Sequence, residues 1–192
     1  MIRIRRGDFK YSEDDIDAMI EDVKYFKQHG ADGIVFGCLD DSNKIHVDHC
    51  RRIATAWEHG KAMTFHRAFD ETNVDDIEGN LEVLADLAVS RILSSGFKAT
   101  AELGIESLKT LVDAASLKGI TVMPGAGVTK ENAAKIVFET GCKEIHASAR
   151  STLESSVGKL SMGGGKEDFQ PFMVCDQVKV RELIAEAKGA SL

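Results

Sequence analysis

Short β-rich runs alternate with longer amphipathic stretches along this chain, and no other feature limits its fold as strongly. Strands separated by helices return in the same direction instead of folding back as hairpins, which predicts a parallel sheet covered by helices. Six such runs can be counted: Ile2 to Arg5, Gly33 to Phe36, Ala62 to His66, Arg91 to Leu93, Ile120 to Met123 and Glu144 to Ala147. Six units in 192 residues is about 32 residues per unit, against about 31 in a typical eight-unit barrel. The spacing fits barrel units, but six strands at the usual tilt leave a barrel open, with two exposed edges. A doubly wound open sheet is the alternative arrangement.

The helical stretches carry their own start and stop signals. Ser12 can cap the first, with Asp14 and Asp15 favouring the positive end of its dipole. Ile16, Met19, Ile20, Val23 and Phe26 then recur at helical spacing, and Gly30 ends the pattern. Later helices are expected at Asp48 to Trp57, Ile77 to Leu87, Ile105 to Ala115, Lys130 to Thr140 and Cys175 to Lys188. Before the last of these, Ser151 to Val174 carries Gly163-Gly164-Gly165 and little periodicity, which predicts a long loop over one end of the domain. Such a loop is either functional or a plain surface excursion.

An apolar content of 43 % supports one buried core, so residues 1–192 are expected to form a single domain. The formal charge of -7 repels phosphate backbones, and nucleic acid is not expected as a partner. No apolar run approaches the roughly 20 residues that span a bilayer, and the N-terminal residues lack a secretory apolar stretch, so no membrane partner is expected. The expected location is the cytoplasm, with the nucleus as a further possibility. Cys38, Cys50, Cys142 and Cys175 are scattered without disulfide or zinc spacing and read as reduced thiols. Arg6-Gly7-Asp8 spells an adhesion tripeptide with no route to an extracellular receptor. Gly125-Ala126-Gly127 lacks the third glycine of a dinucleotide loop, because Lys130 stands there.

In parallel barrels the working residues gather where strands end, around one shared mouth. That rule selects Arg3, Arg5 and Asp8; Cys38 and Asp40; His66, Arg67 and Asp70; Ser94, Ser95 and Gly96; Gly125 and Gly127; and His146, Ser148 and Arg150. Thr64 to Asp70 is the most informative segment, with two aromatics enclosing an imidazole, a guanidinium and a carboxylate. His66 could bind a metal or shuttle protons, with Asp70 orienting it; the plainer reading is a core histidine beside a structural Arg67–Asp70 ion pair. His66 and His146 could bracket a ligand or, with Cys38, offer donors to a transition metal. Gly125, Gly127, Ser148 and Arg150 follow the last two strands, where barrel enzymes usually hold phosphate; tight turns and a cap at Thr129 are the bland account.

At these strand ends the sequence resembles the CutC copper-homeostasis family. The resemblance runs over nearly the whole chain in five ordered blocks: Ile2 to Phe9 with Tyr11-Ser12, Thr64 to Asp70, Leu93 to Gly96, Met123 to Gly127, and His146 to Arg150. Ile4 stands where the family usually has proline and Arg6 where it usually has glycine, so the first loop is expected to differ. Family members begin with two further strand-helix units that carry cysteines, and the chain looks like a fragment, a truncated gene model or a short isoform.

The resemblance implies α/β architecture of the TIM-type (β/α)8 barrel family, here an incomplete barrel of about six parallel βα units. It also implies copper as cofactor or cargo, with self-association into a homo-oligomer. Three functions stay open. One is an intracellular copper-binding homeostasis protein with Cys38, His66 and His146 as metal ligands. Another is an enzyme on a small phosphorylated or carboxylated metabolite. Its ligand- or anion-binding residues would be Arg3, Arg5, Asp8, Arg67, Ser95, Gly125, Gly127, Ser148 and Arg150, with the arginine side chains as anion clamp and His66 and Asp70 as acid and base. The third is a structural fragment that pairs its open edges with another chain.

Overall fold

The computed structural model describes residues 1–58, 62–153 and 172–190. Four parallel strands, β1 (Gly33–Phe36), β2 (Ala62–Phe65), β3 (Arg91–Ser94) and β4 (Thr121–Pro124), pair in sequence order. Registers run Gly33 with Ala62 to Phe36 with Phe65, and Arg91 with Thr121 to Ser94 with Pro124. Helices α1 (Glu13–Gln28), α2 (Val47–Trp57), α3 (Ile77–Asp86), α4 (Ile105–Ser116) and α5 (Lys130–Thr140) alternate with them. The strands form an arc that their pairing does not close into a barrel.

Two of the six expected strands are not formed. Ile2 to Arg5 and Glu144 to Ala147 lie beside the outer strands, each joined by a single backbone bond: the Ile2 amide donates to Val35 (2.8 Å) and the His146 amide to Pro124 (2.8 Å). Both flank the sheet in the sense the sequence predicts, but one bond each is too little to make a ladder. The sixth run is also anchored at its start, where Glu144 takes the Arg91 guanidinium in a two-point ion pair. The expected long loop is corrected as well. Its two arms, β5 (Arg150–Leu153) and β6 (Phe172–Cys175), pair antiparallel and lead into α6 (Gln177–Gly189); the triple glycine lies outside the described residues.

Local chemistry accounts for the elements. The Ser12 hydroxyl accepts from the Asp15 amide while the Asp15 carboxylate accepts from the Ser12 amide, both at 3.1 Å, a closed capping box. Ile16, Met19 and Val23 of α1 are buried, whereas Phe26, placed on the same face by its spacing, is 43 % exposed. The core runs under the sheet through Phe36, Phe65, Ile92 and Trp57. After β3 the chain turns through Gly96 (φ +70°), and a Cβ there would meet the Gly104 carbonyl oxygen at 2.4 Å. A Cβ on Gly104 would lie 2.0 Å from the Ser95 oxygen, so two glycines let this loop close over the strand end. Among the described residues, no helix is long and apolar enough to cross a membrane.

Candidate functional site

The ends of β1 and β2 and the N-terminal run build one cluster. His66 follows β2 and is 3 % exposed. Its Nδ1 accepts from the Ala68 amide at 3.1 Å, so in the neutral ring the proton sits on Nε2, which is buried and has no partner among the described residues. Burial, followed by the nearby charge of Arg3, lowers the imidazole pKa to about 4. The Phe9 ring lies tilted at 47° to the His66 ring with centroids 4.8 Å apart, and the Arg3 guanidinium lies over the Phe9 ring at 4.8 Å. Arg3 Nε and the Tyr11 hydroxyl are likewise buried, the two side chains near one another, with no well-formed hydrogen bond for either atom among the described residues. Burial raises the Tyr11 pKa, helped by Cys38 and opposed by Arg3.

Asp70 takes the structural one of the two roles that the sequence leaves open to it. Its carboxylate accepts from Ser94 Oγ (2.6 Å), Ser95 N (3.0 Å), Ser95 Oγ (2.9 Å), Phe97 N (3.3 Å) and Arg67 Nε (2.8 Å). It does not orient His66, whose Nδ1 is taken by its own downstream amide. The carboxylate is a hub that fixes the β3 strand end, and Arg67 completes it through Ser95 Oγ at 2.8 Å. The structural ion pair is therefore the reading of Arg67 and Asp70 that the contacts match.

The remaining candidates divide among separate settings. Arg5 pairs with Asp8 at 2.8 Å, also donates to the Lys10 carbonyl, and lies 5.1 Å over the Tyr11 ring; with Gly7 at φ +97° they shape the first loop. Hydrogen bonding from Arg5 holds the Asp8 carboxyl below its ordinary value. Asp40 accepts from Ser42 and Lys44 and organises its own turn. Gly125 abuts His146, since a Cβ on it would come within 3.3 Å of the histidine Cβ. Gly127, at φ +69°, lies against Thr100. His146 is exposed, and no hydrogen bond or ring contact among the described residues joins it to His66. Ser148 and Arg150 do meet, in a cavity of about 310 Å³ that Thr129 and Lys130 of the α5 start and Lys179 of α6 also line.

Cys38 is fully buried, with its thiol pushed up by the neighbouring Cys50 and by burial. Among the described residues, no three His, Cys, Asp or Glu side chains gather to hold a metal ion. Two residues of interest escaped the strand-end rule. Tyr11 lies in a loop after the first run. Cys50 lies on a helix, where its place on the buried face shared with Ile53 and Trp57 was the signal available.

Comparison with known proteins places these features in a family. The model of the CutC family matches residues 1–151. The copper homeostasis protein cutC homolog of Drosophila melanogaster is 38 % identical over 199 residues, covering 100 % of this chain and 75 % of that protein. A family protein CutC of Bacteroides fragilis is 43 % identical over 168 residues, covering 85 % of this chain and 65 % of its own length. The chain thus spans about two thirds to three quarters of these relatives. The crystal structure of a putative copper homeostasis protein CutC from Streptococcus agalactiae superposes with a TM-score of 0.71 at 33 % identity, over 76 % of this chain and 69 % of that one. The four-stranded parallel arc is accordingly an α/β barrel-family fold left unclosed, and the chain belongs to the CutC family.

Proposed function

We propose that this chain serves copper homeostasis and that the ligand held at its strand ends is a small oxyanion, carboxylate or phosphate, not a copper ion. The names of its relatives support the first part. The second part rests on one observation: Arg3 Nε, Tyr11 Oη and His66 Nε2, all hydrogen-bond donors, are buried with no well-formed hydrogen bond among the described residues. An unmet buried donor costs about 1–3 kcal/mol, so retaining three at one strand-end cluster calls for an acceptor that arrives with the ligand. A soft cation meets the wrong donor set there, because Arg3 carries positive charge and His66 keeps its Nε2 proton. The enzyme reading gains most from this arrangement, with Arg3 holding the anion and the near-neutral ring of His66 donating to it. Asp70, saturated by its five donors, orders the β3 strand end instead of moving a proton. A reducing compartment such as the cytosol suits the free Cys38, Cys50 and Cys142.

Thermal unfolding in inorganic phosphate, glycerol 3-phosphate and malonate tests the anion site. At about a hundredfold excess over Kd, Tm is expected to rise by about 5 °C, and Arg3→Met to abolish the rise. No shift with any of the three at millimolar concentration removes the anion. Growth of cells lacking the gene on raised copper tests the homeostasis role; copper content and growth equal to the parent strain remove that part.

A further inference from the structure

The donors at the strand ends fall into two poles of unequal charge. Arg3 and Tyr11 lie near one another, and Tyr11 feels the charge of Arg3. His66 is the second pole, and the Phe9 ring touches both, 4.8 Å from the His66 ring and 4.8 Å from the Arg3 guanidinium. Gly37 backs the imidazole so closely that a Cβ there would lie 2.6 Å from Nδ1, which holds the ring in place. Little charge is free around this cluster. Arg5 is neutralised by Asp8 at 2.8 Å and Asp15 at 3.6 Å, and Arg67 by Asp70 at 2.8 Å. Arg3 donates to the neutral Gly7 carbonyl at 2.7 Å and meets no carboxylate among the described residues. His66 adds no second positive charge near neutral pH, because its Nδ1 accepts from the Ala68 amide and burial holds its pKa down. Phe9 also lines a cavity of about 190 Å³ beside the first loop, whose charged lining residues are Asp8, Lys10 and Glu71. One positive charge against two negative ones there penalises an approaching dianion more than a monoanion.

We propose that the ligand of this cluster is a short monocarboxylate bearing an uncharged oxygen, a hydroxy- or oxo-acid. The assignment rests on the anion reading and narrows it to one chemical class. The carboxylate takes Arg3 Nε and the Tyr11 hydroxyl, so that a single negative charge meets the single cation without a carboxylate partner. The uncharged oxygen, hydroxyl or carbonyl, accepts from His66 Nε2, and the Phe9 ring lies against the carbon chain between them. A phosphate dianion or a second carboxylate brings a charge that the neutral, buried imidazole does not offset, and a buried charge without a partner is costly. An unsubstituted acid such as propionate supplies the charge but leaves the His66 donor unmet.

Isothermal titration calorimetry of the full chain at pH 7 with lactate, pyruvate, 3-hydroxypropionate, propionate, malonate and inorganic phosphate tests the class. At least one of the three substituted acids is expected to bind roughly tenfold or more tightly than propionate, malonate and phosphate. His66→Leu removes the donor and should bring that acid down to the affinity of propionate, with propionate itself unchanged. Arg3→Met should abolish binding of both. Because His66 is buried, the ranking of ligands on the wild type decides where the His66 variant does not fold. Propionate binding as tightly as all three substituted acids, or malonate or phosphate binding more tightly than they do, overturns the class. If phosphate or malonate then still binds and needs Arg3, the anion site stands without the narrower assignment; no binding of any of the six by calorimetry or thermal shift removes site and class together.

Discussion

His66 shows how one residue can be recognised from sequence while its chemistry is not. Its place after a strand and between two aromatics is legible in Thr64 to Asp70. Which nitrogen stays free depends on the turn that follows, where the Ala68 amide takes Nδ1. With a folded pKa of about 4 against an ordinary 6.5, the unfolded chain binds the proton more readily between those values. The stabilisation is therefore complete above pH 6.5 and is lost as pH falls toward 4, by up to about 3 kcal/mol. Urea unfolding of the wild type and His66→Gln across that range checks it: the stability difference between them should shrink steadily, and a constant difference would remove His66 as the cause. The task of Asp70 was less legible. Its partners Ser94, Ser95 and Phe97 lie 24 to 27 positions away and reach it only because β2 and β3 are neighbours.

At the scale of the element, the sequence pattern names the helices well because caps and apolar spacing are local. The Ser12 box and the bounds of α5 follow from a few adjacent residues. Strands two to five of the predicted set appear, while the outermost two do not, since a strand needs a partner on the sheet and sequence alone cannot supply one. The β5–β6 ribbon escaped notice for a related reason: its two halves pair across 18 intervening positions that show no period of their own. Loops closed by glycine leave a sharper trace. Gly104→Ala drives a methyl into the Ser95 carbonyl and is expected to cost about 1–3 kcal/mol, measured by the urea midpoint. An unchanged midpoint would mean that the β3 loop can open without cost.

For the whole molecule, the arc of four strands presents outer edges that are satisfied at one point each. Unpaired edges recruit other chains. Sedimentation velocity from one to tens of micromolar protein is expected to show a concentration-dependent dimer; a single monomeric species throughout would show that the edges are shielded. The single bonds at Ile2 and His146 bear on recognition too. Asp70 and its five donors set the β3 strand end like mortar, whereas the backbone of the runs that carry Arg3 and His146 is stitched to the sheet at one point apiece. A molecule gripped by Arg3 would therefore meet a yielding border beside a fixed strand end, so close analogues should differ in how long they stay more than in how fast they arrive.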